Sequence, residues 1–239
     1  MLVYFVIGKK LRKENSLLSK IGIGALYAFA LIGIIASLSF GAHKILEIKQ
    51  AAERAEKERV AKITAKVERP EINVMLLTVN PYSRPGIALP KVNNIVVHYT
   101  ANPGTTAEQN RNYFENLKDT GKTKASSHFI IGIDGEIVQC IPTSEISYAS
   151  NDRNGDTLSI ECCHKDKSGK FTKETYDSLI ELLAFLCGKF DLTGEDIIRH
   201  YDVTGKSCPK YYVDHEKKWL KLKQDVDDYI SINGVYPDE

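Results

Sequence analysis

The chain has 239 residues, 26% of them charged, with a net charge of +1; this allows one well-filled domain plus extra, or two small domains. No stripe of Lys and Arg interleaved with aromatics appears, so nucleic acid is not an expected partner. The cysteines, Cys140, Cys162, Cys163, Cys187 and Cys208, form neither a CxxC pair nor an even-numbered framework, which fits one metal-binding thiolate plus buried free thiols. Any pairing among Cys140, Cys162, Cys163 and Cys187 stays open at this point.

Residues 1–20 are basic, with Lys9, Lys10, Arg12, Lys13 and Lys20 against Glu14, and read as a cytoplasmic segment. From Ile21 to Ala42 no side chain is charged. As a helix that run reaches about 33 Å, enough for a hydrocarbon core of about 30 Å, so a single transmembrane helix is expected there. It is too long and too far from the start for the apolar region of a signal peptide. Lys and Arg counts on its two sides barely differ, so the expected orientation, N-terminus inside, rests on the function argued below. Residues 43–69 are rich in Ala, Glu, Lys and Arg, with Ile45, Ile48, Ala52 and Ala55 at heptad-like spacing. They read as a solvated helical stalk up to about 40 Å long, with too short a seam to settle the oligomeric state.

Pro70 ends the stalk, and residues 70–239 read as one α/β domain, a mixed central sheet packed by helices. Asn94 to Tyr99 is a continuous β-branched run, the pattern of a strand buried on both faces, with His98 near its carboxyl end. A helix is expected over 106–118. The runs 128–133 and 136–141, joined by Asp134-Gly135, predict a hairpin. Residues 143–156 read as a surface loop and Thr157 to Cys163 as a strand carrying Glu161. Thr172 caps a helix running to Gly188, and a last helix is expected from Asp214 to Ile230.

The stretch from His200 to Pro209 places a histidine, Lys206 and Cys208 in one glycine-bent loop. Neutral imidazoles and a thiolate suit Zn²⁺, and a catalytic site needs three protein ligands with a fourth position open. Ligands in open α/β sheets collect outside the carboxyl ends of strands, which points to His98 as the third, with His128 as its rival. His43, His164 and His215 lie in charged surroundings and read as surface residues. Tyr99, Asn102 and Asn151 flank the expected site and are placed to contact sugar or peptide.

The strand with His98, the segments Ser126-Ser127-His128-Phe129-Ile130-Ile131 and Leu158-Ser159-Ile160-Glu161, and the His200 to Cys208 loop resemble the type 2 N-acetylmuramoyl-L-alanine amidases. That family includes phage lysozyme-type amidases and peptidoglycan recognition proteins. The resemblance covers about residues 72–230. It implies His98, His200 and Cys208 as zinc ligands, Glu161 as general base and acid, and Lys206 as the group that stabilises a developing oxyanion. Some members carry a catalytic tyrosine where this chain has Ser127. His128 is expected on the substrate side or as a group orienting the site.

The expected function is thus a membrane-anchored, zinc-dependent hydrolysis of the bond between N-acetylmuramic acid and L-alanine. The partner would be peptidoglycan or muramyl peptides, and the catalytic domain would lie outside the plasma membrane. Two other readings are a module of the same fold that binds peptidoglycan without cutting it, and a structural anchor organised by the stalk.

Overall fold

A computed structural model describes residues 41–52 and 65–235 of the chain. Residues 41–52 are helical (α1), and Ile45, Leu46 and Ile48 on it are exposed. The basic segment 1–20, nearly all of the expected transmembrane run and the second half of the expected stalk lie outside the described residues. Among the described residues no helix is long and apolar enough to cross a membrane.

Residues 65–235 are organised on a six-stranded mixed sheet in the order β1-β4-β3-β5-β2-β6. The strands are β1 (Asn73–Val74), β2 (Asn94–Tyr99), β3 (Phe129–Ile131), β4 (Ile137–Gln139), β5 (Thr157–Cys162) and β6 (Ile197–Arg199). Only β3 and β4 pair antiparallel; β5, β2 and β6 are adjacent and parallel. As expected for a strand covered on both faces, the interior of β2 is wholly buried.

Pleating sends alternate residues of each strand to opposite faces. One set, including Ile95, Val97, Leu158, Ile160 and Phe129, packs with the stripes of α3 (Lys173–Phe190) and α6 (Glu216–Asn233), among them Leu179, Leu183, Leu186, Trp219, Leu222 and Val226. Ala65 and Val67 belong to this core as well, so the packed domain already includes residues upstream of Pro70. The other set, with Ile130 and Val138, meets α2 (Ala107–Thr120) through Ala107, Phe114 and Leu117.

The caps follow the sequence closely. Thr106 and Gln109 form a capping box at the start of α2, and Gly121 ends it in the left-handed region at φ 59°. The Thr172 hydroxyl accepts from the Thr175 N–H at the start of α3, as expected, although α3 runs on to Phe190.

Several boundaries differ. The hairpin ladder is limited to Phe129–Ile131 against Ile137–Gln139, because Gly132 and Gly135, the latter at φ 90°, already form the turn. The last helix is broken at His215, whose backbone is non-helical, into α5 (Lys210–Asp214) and α6. Residues 143–156 lie largely at the surface, as expected, but Ser147 and Ser150 are buried and Asn151–Arg153 forms a 3-10 turn.

Candidate active site

The three neighbouring parallel strands each deliver one polar group at their carboxyl ends: Glu161 from β5, His98 from β2, and His200 as the first residue after β6. His98 and Glu161 are register partners across a parallel pair, so they sit side by side on one face, the face of α2. His200 opens a short helix, α4 (His200–Thr204), where the sequence suggested a loop. Arg199 locks that helix in place. It is buried, pairs with Asp202 and Glu216, and donates to the Tyr212 carbonyl.

Gly205 ends α4 in the left-handed region at φ 76°, and the Tyr201 N–H donates to the Cys208 carbonyl at 2.9 Å. The chain thereby turns back and returns Cys208 to the histidines. Ligand atoms of His98, His200 and Cys208 all lie within 4.8 Å of one another, and all three residues are buried. His98 Nδ1 is 3.8 Å from Cys208 Sγ, and the two imidazole rings are 4.6 Å apart between centroids. Two imidazole nitrogens and one sulfur are a donor set that fits a zinc ion.

Electrostatics agree with that fit. Burial, then the His200 and Lys206 charges, hold the His98 pKa well below its ordinary value; burial and Lys206 do the same to His200. Both rings are therefore neutral and have a lone pair to offer. Burial and Glu161 push the Cys208 thiol up to about 12, against the opposing Tyr99 N–H and Lys206, so the thiol keeps its proton unless a bound cation displaces it to solvent. Burial raises the Glu161 carboxyl to about 8, with Lys206 pulling it back. Its Oε2 is enclosed and has no hydrogen-bond partner. A buried carboxyl oxygen left unpaired beside three metal-type donors is a group held ready for something absent from the protein itself.

The remaining expected residues are placed unevenly. Lys206 is exposed on the loop between α4 and Cys208, and Asn102 is exposed just beyond β2. Asn151 does come to the site: the residue is exposed, and its Oδ1 lies 3.0 Å from His200 Nε2. Tyr99 alternates away from His98 to the opposite face, where its ring lies beside His164 and over Gly169, so the expected contact with sugar or peptide is corrected.

His128 is corrected too. It is fully buried, with Nδ1 on the Ser159 side and Nε2 accepted by the Glu145 carbonyl at 2.8 Å, so it neither rivals His98 as a ligand nor reaches substrate. The Ser127 hydroxyl lies within hydrogen-bond distance of the Phe129 carbonyl, at 2.8 Å, and the Ser159 carbonyl, at 3.0 Å, inside the same network. His164 is 1% exposed, not a surface residue, while His43 and His215 are exposed as expected. Sequence reading missed Ser150, Ser159 and Arg199, whose importance lies in what they hold. A cleft of about 540 Å³ bounded by Lys170, Tyr176, Tyr211 and Lys218 contains none of these site residues.

Fold and site together define a class: a mixed α/β protein with a buried cluster of two histidines and a cysteine at the carboxyl ends of parallel strands. The chain belongs to the N-acetylmuramoyl-L-alanine amidase family, whose model matches residues 88–211. It is 35% identical over 169 residues to the N-acetylmuramoyl-L-alanine amidase CwlL of Bacillus licheniformis, covering 66% of this chain and 47% of that protein. BlyA, an N-acetylmuramoyl-L-alanine amidase of Bacillus subtilis (strain 168), is 35% identical over 180 residues with the same coverage. The chain thus spans about half the length of the curated relatives it matches. Among solved structures, a mutant endolysin from Bacillus subtilis is similar with a TM-score of 0.56 and 28% identity, over 66% of this chain and 99% of that one. The catalytic domain of XlyA is similar with a TM-score of 0.55 and 26% identity, over the same shares.

Proposed function

We propose that this protein is a zinc-dependent N-acetylmuramoyl-L-alanine amidase, cleaving the amide between the lactyl group of N-acetylmuramic acid and L-alanine in peptidoglycan. The observation that carries the reading is the convergence of His98, His200 and Cys208 beside the buried, unpaired Oε2 of Glu161.

Zinc held by these three residues supplies a Lewis acid that acidifies a water and polarises the amide carbonyl. The protein's own groups do the rest. Glu161 Oε2 accepts the proton of the attacking water and passes it to the nitrogen of the departing L-alanine. Burial makes this carboxylate a stronger base than one at the surface, its pKa standing at about 8 before any ion is added. Lys206 places a positive charge at the mouth of the site, where negative charge gathers on the carbonyl oxygen as water adds. Asn102, exposed beyond β2, is placed to contact the sugar or the peptide.

We further propose that the run from Ile21 to Ala42 anchors the chain in the plasma membrane, with the catalytic domain outside, where peptidoglycan lies. The uninterrupted apolar length supports this. A membrane-impermeant lysine reagent applied to intact cells should label the domain and spare Lys9 and Lys10.

The activity is tested by mass spectrometry of products from purified peptidoglycan treated with the full chain, with and without zinc. Release of stem peptides beginning with free L-alanine, lost on chelation and restored by zinc, is expected. Intact muramyl-peptide linkages with zinc bound would instead make the domain a binding module.

A further inference from the structure

The segment from Tyr148 to Asp156 carries Ser150 inward and is tied down by side-chain hydrogen bonds along its length. Asn154 Oδ1 accepts the backbone N–H groups of Ala149 at 3.1 Å and Ser150 at 2.7 Å. Arg153 donates to both carboxylate oxygens of Asp156 and to Asn94 Oδ1 at 2.6 Å, which fastens the turn to the start of β2. The Thr157 hydroxyl donates to the Arg153 carbonyl at 2.7 Å. At its apex Asn151 stands in the left-handed region, φ 53°, a conformation that asparagine tolerates better than most residues.

What this scaffold presents is two side-chain oxygens, each aimed at one histidine. Asn151 Oδ1 is 3.0 Å from His200 Nε2, and Ser150 Oγ is 3.5 Å from His98 Nε2. An amide oxygen only accepts, so His200 carries its proton on Nε2 and leaves Nδ1 with the lone pair. His98 shows the matching arrangement from the other side, with Nε2 towards Ser150 and Nδ1 towards Cys208 Sγ. Ligating histidines characteristically give their second N–H to an oxygen that fixes tautomer and ring orientation. Here the oxygens for both rings come from consecutive residues of one turn.

We propose that Ser150 and Asn151 are positioning residues of the metal centre: the turn they crown fixes the tautomer and orientation of His98 and His200, so that both present Nδ1 to the ion together with Cys208. This rests on the zinc reading above. Asn151 has the larger share, since its contact is short, whereas the Ser150 contact is at the limit of a hydrogen bond. The pair touches neither substrate nor reacting atoms; it acts through the rings.

The test compares Asn151→Gly, Asn151→Asp and Ser150→Ala in the full chain in detergent. Glycine keeps the left-handed backbone and removes the acceptor; aspartate keeps an acceptor at nearly the same place. Zinc affinity by competition with a chelator and the visible spectrum of the cobalt-substituted protein are read beside amidase activity and the apo melting temperature. Asn151→Gly should weaken zinc binding by roughly 10- to 100-fold. It should also alter the cobalt ligand-field bands while the thiolate-to-cobalt band remains, with the apo melting temperature near that of the unaltered protein. Asn151→Asp should restore binding to within a few fold, and Ser150→Ala should weaken it by a few fold.

Unaltered affinity and spectrum in Asn151→Gly would overturn the inference while leaving the zinc site in place. A parent protein that binds no zinc would overturn the zinc reading, and the inference with it.

Discussion

The two faces of the sheet are made by alternate residues of the same strands, yet they are built to opposite specifications. On one, Ile95, Val97, Leu158 and Ile160 close against α3 and α6 in an apolar core. On the other, one pleat away, His98, Ser159 and Glu161 bring imidazole, hydroxyl and carboxyl groups into the interior. The comparison teaches that β2 and β5 place the chemistry with the precision of the core because they are the core: His98 cannot shift without moving Val97. The polar face tolerates burial only because nearly every group on it is held, and the groups left unheld include Oε2 of Glu161.

That contrast can be broken from either side. Cys208→Ala removes one of three donors, so zinc should be lost and amidase activity should fall to background, while the melting temperature of the apo protein changes little. Metal content by mass spectrometry and product release check this, and retention of stoichiometric zinc would mean the centre lies elsewhere. Glu161→Gln keeps the shape and removes the base; a loss of about 100- to 10,000-fold in kcat is expected with zinc still bound.

On the apolar face the pattern should reverse. Leu183→Ala empties a fully buried site in the core and should cost about 2 to 5 kcal/mol in denaturant unfolding, with activity per folded molecule unchanged. A variant that lost activity without losing stability would show that the two faces are not separable.

His128 sharpens the comparison by pH. Burial lowers its pKa to about 4 from the ordinary 6.5, partly opposed by the Glu145 carbonyl and carboxylate. The unfolded chain therefore binds an extra proton between those values, so this contribution is complete above about pH 6.5 and fades as pH falls towards 4, by roughly 3 kcal/mol at most. Urea unfolding across that range should become flatter in His128→Gln, and an identical slope would remove His128 from the account.

The smallest effect expected is at the lead-in. Burial alone would raise Glu115, but the Thr78 hydroxyl and N–H, Lys118 and Arg111 outweigh it and hold the carboxyl at about 2. Its contribution is present above about pH 4.5 and is lost as pH falls through 2, so Thr78→Val should lower stability slightly at neutral pH, the difference from the unaltered chain shrinking in urea unfolding as pH falls towards 2.

Much of this was written locally in the chain. The β-branched run around Val96, the capping box at Thr106 and Gln109, the Asp134-Gly135 turn and the cap at Thr172 are short-range signals, each set by steric preference or periodicity within a few residues. The residue types of the centre were legible for the same reason: a histidine at a strand end, and a histidine and cysteine around a glycine bend, are chemical facts of the sequence.

What only the tertiary structure decided concerns partners far apart in the chain. That Cys208 meets His98, 110 positions away, and that Asn151 reaches His200 depend on strand order and on which way a pleat sends each side chain. For the same reason Tyr99 went to the far face, His164 went inside and His128 was spent on Ser159 and Glu145. Composition marks these residues as polar. Only the packing of β5, β2 and β6 side by side determines which polar groups are consumed in holding the fold and which, like Glu161, are left free to act.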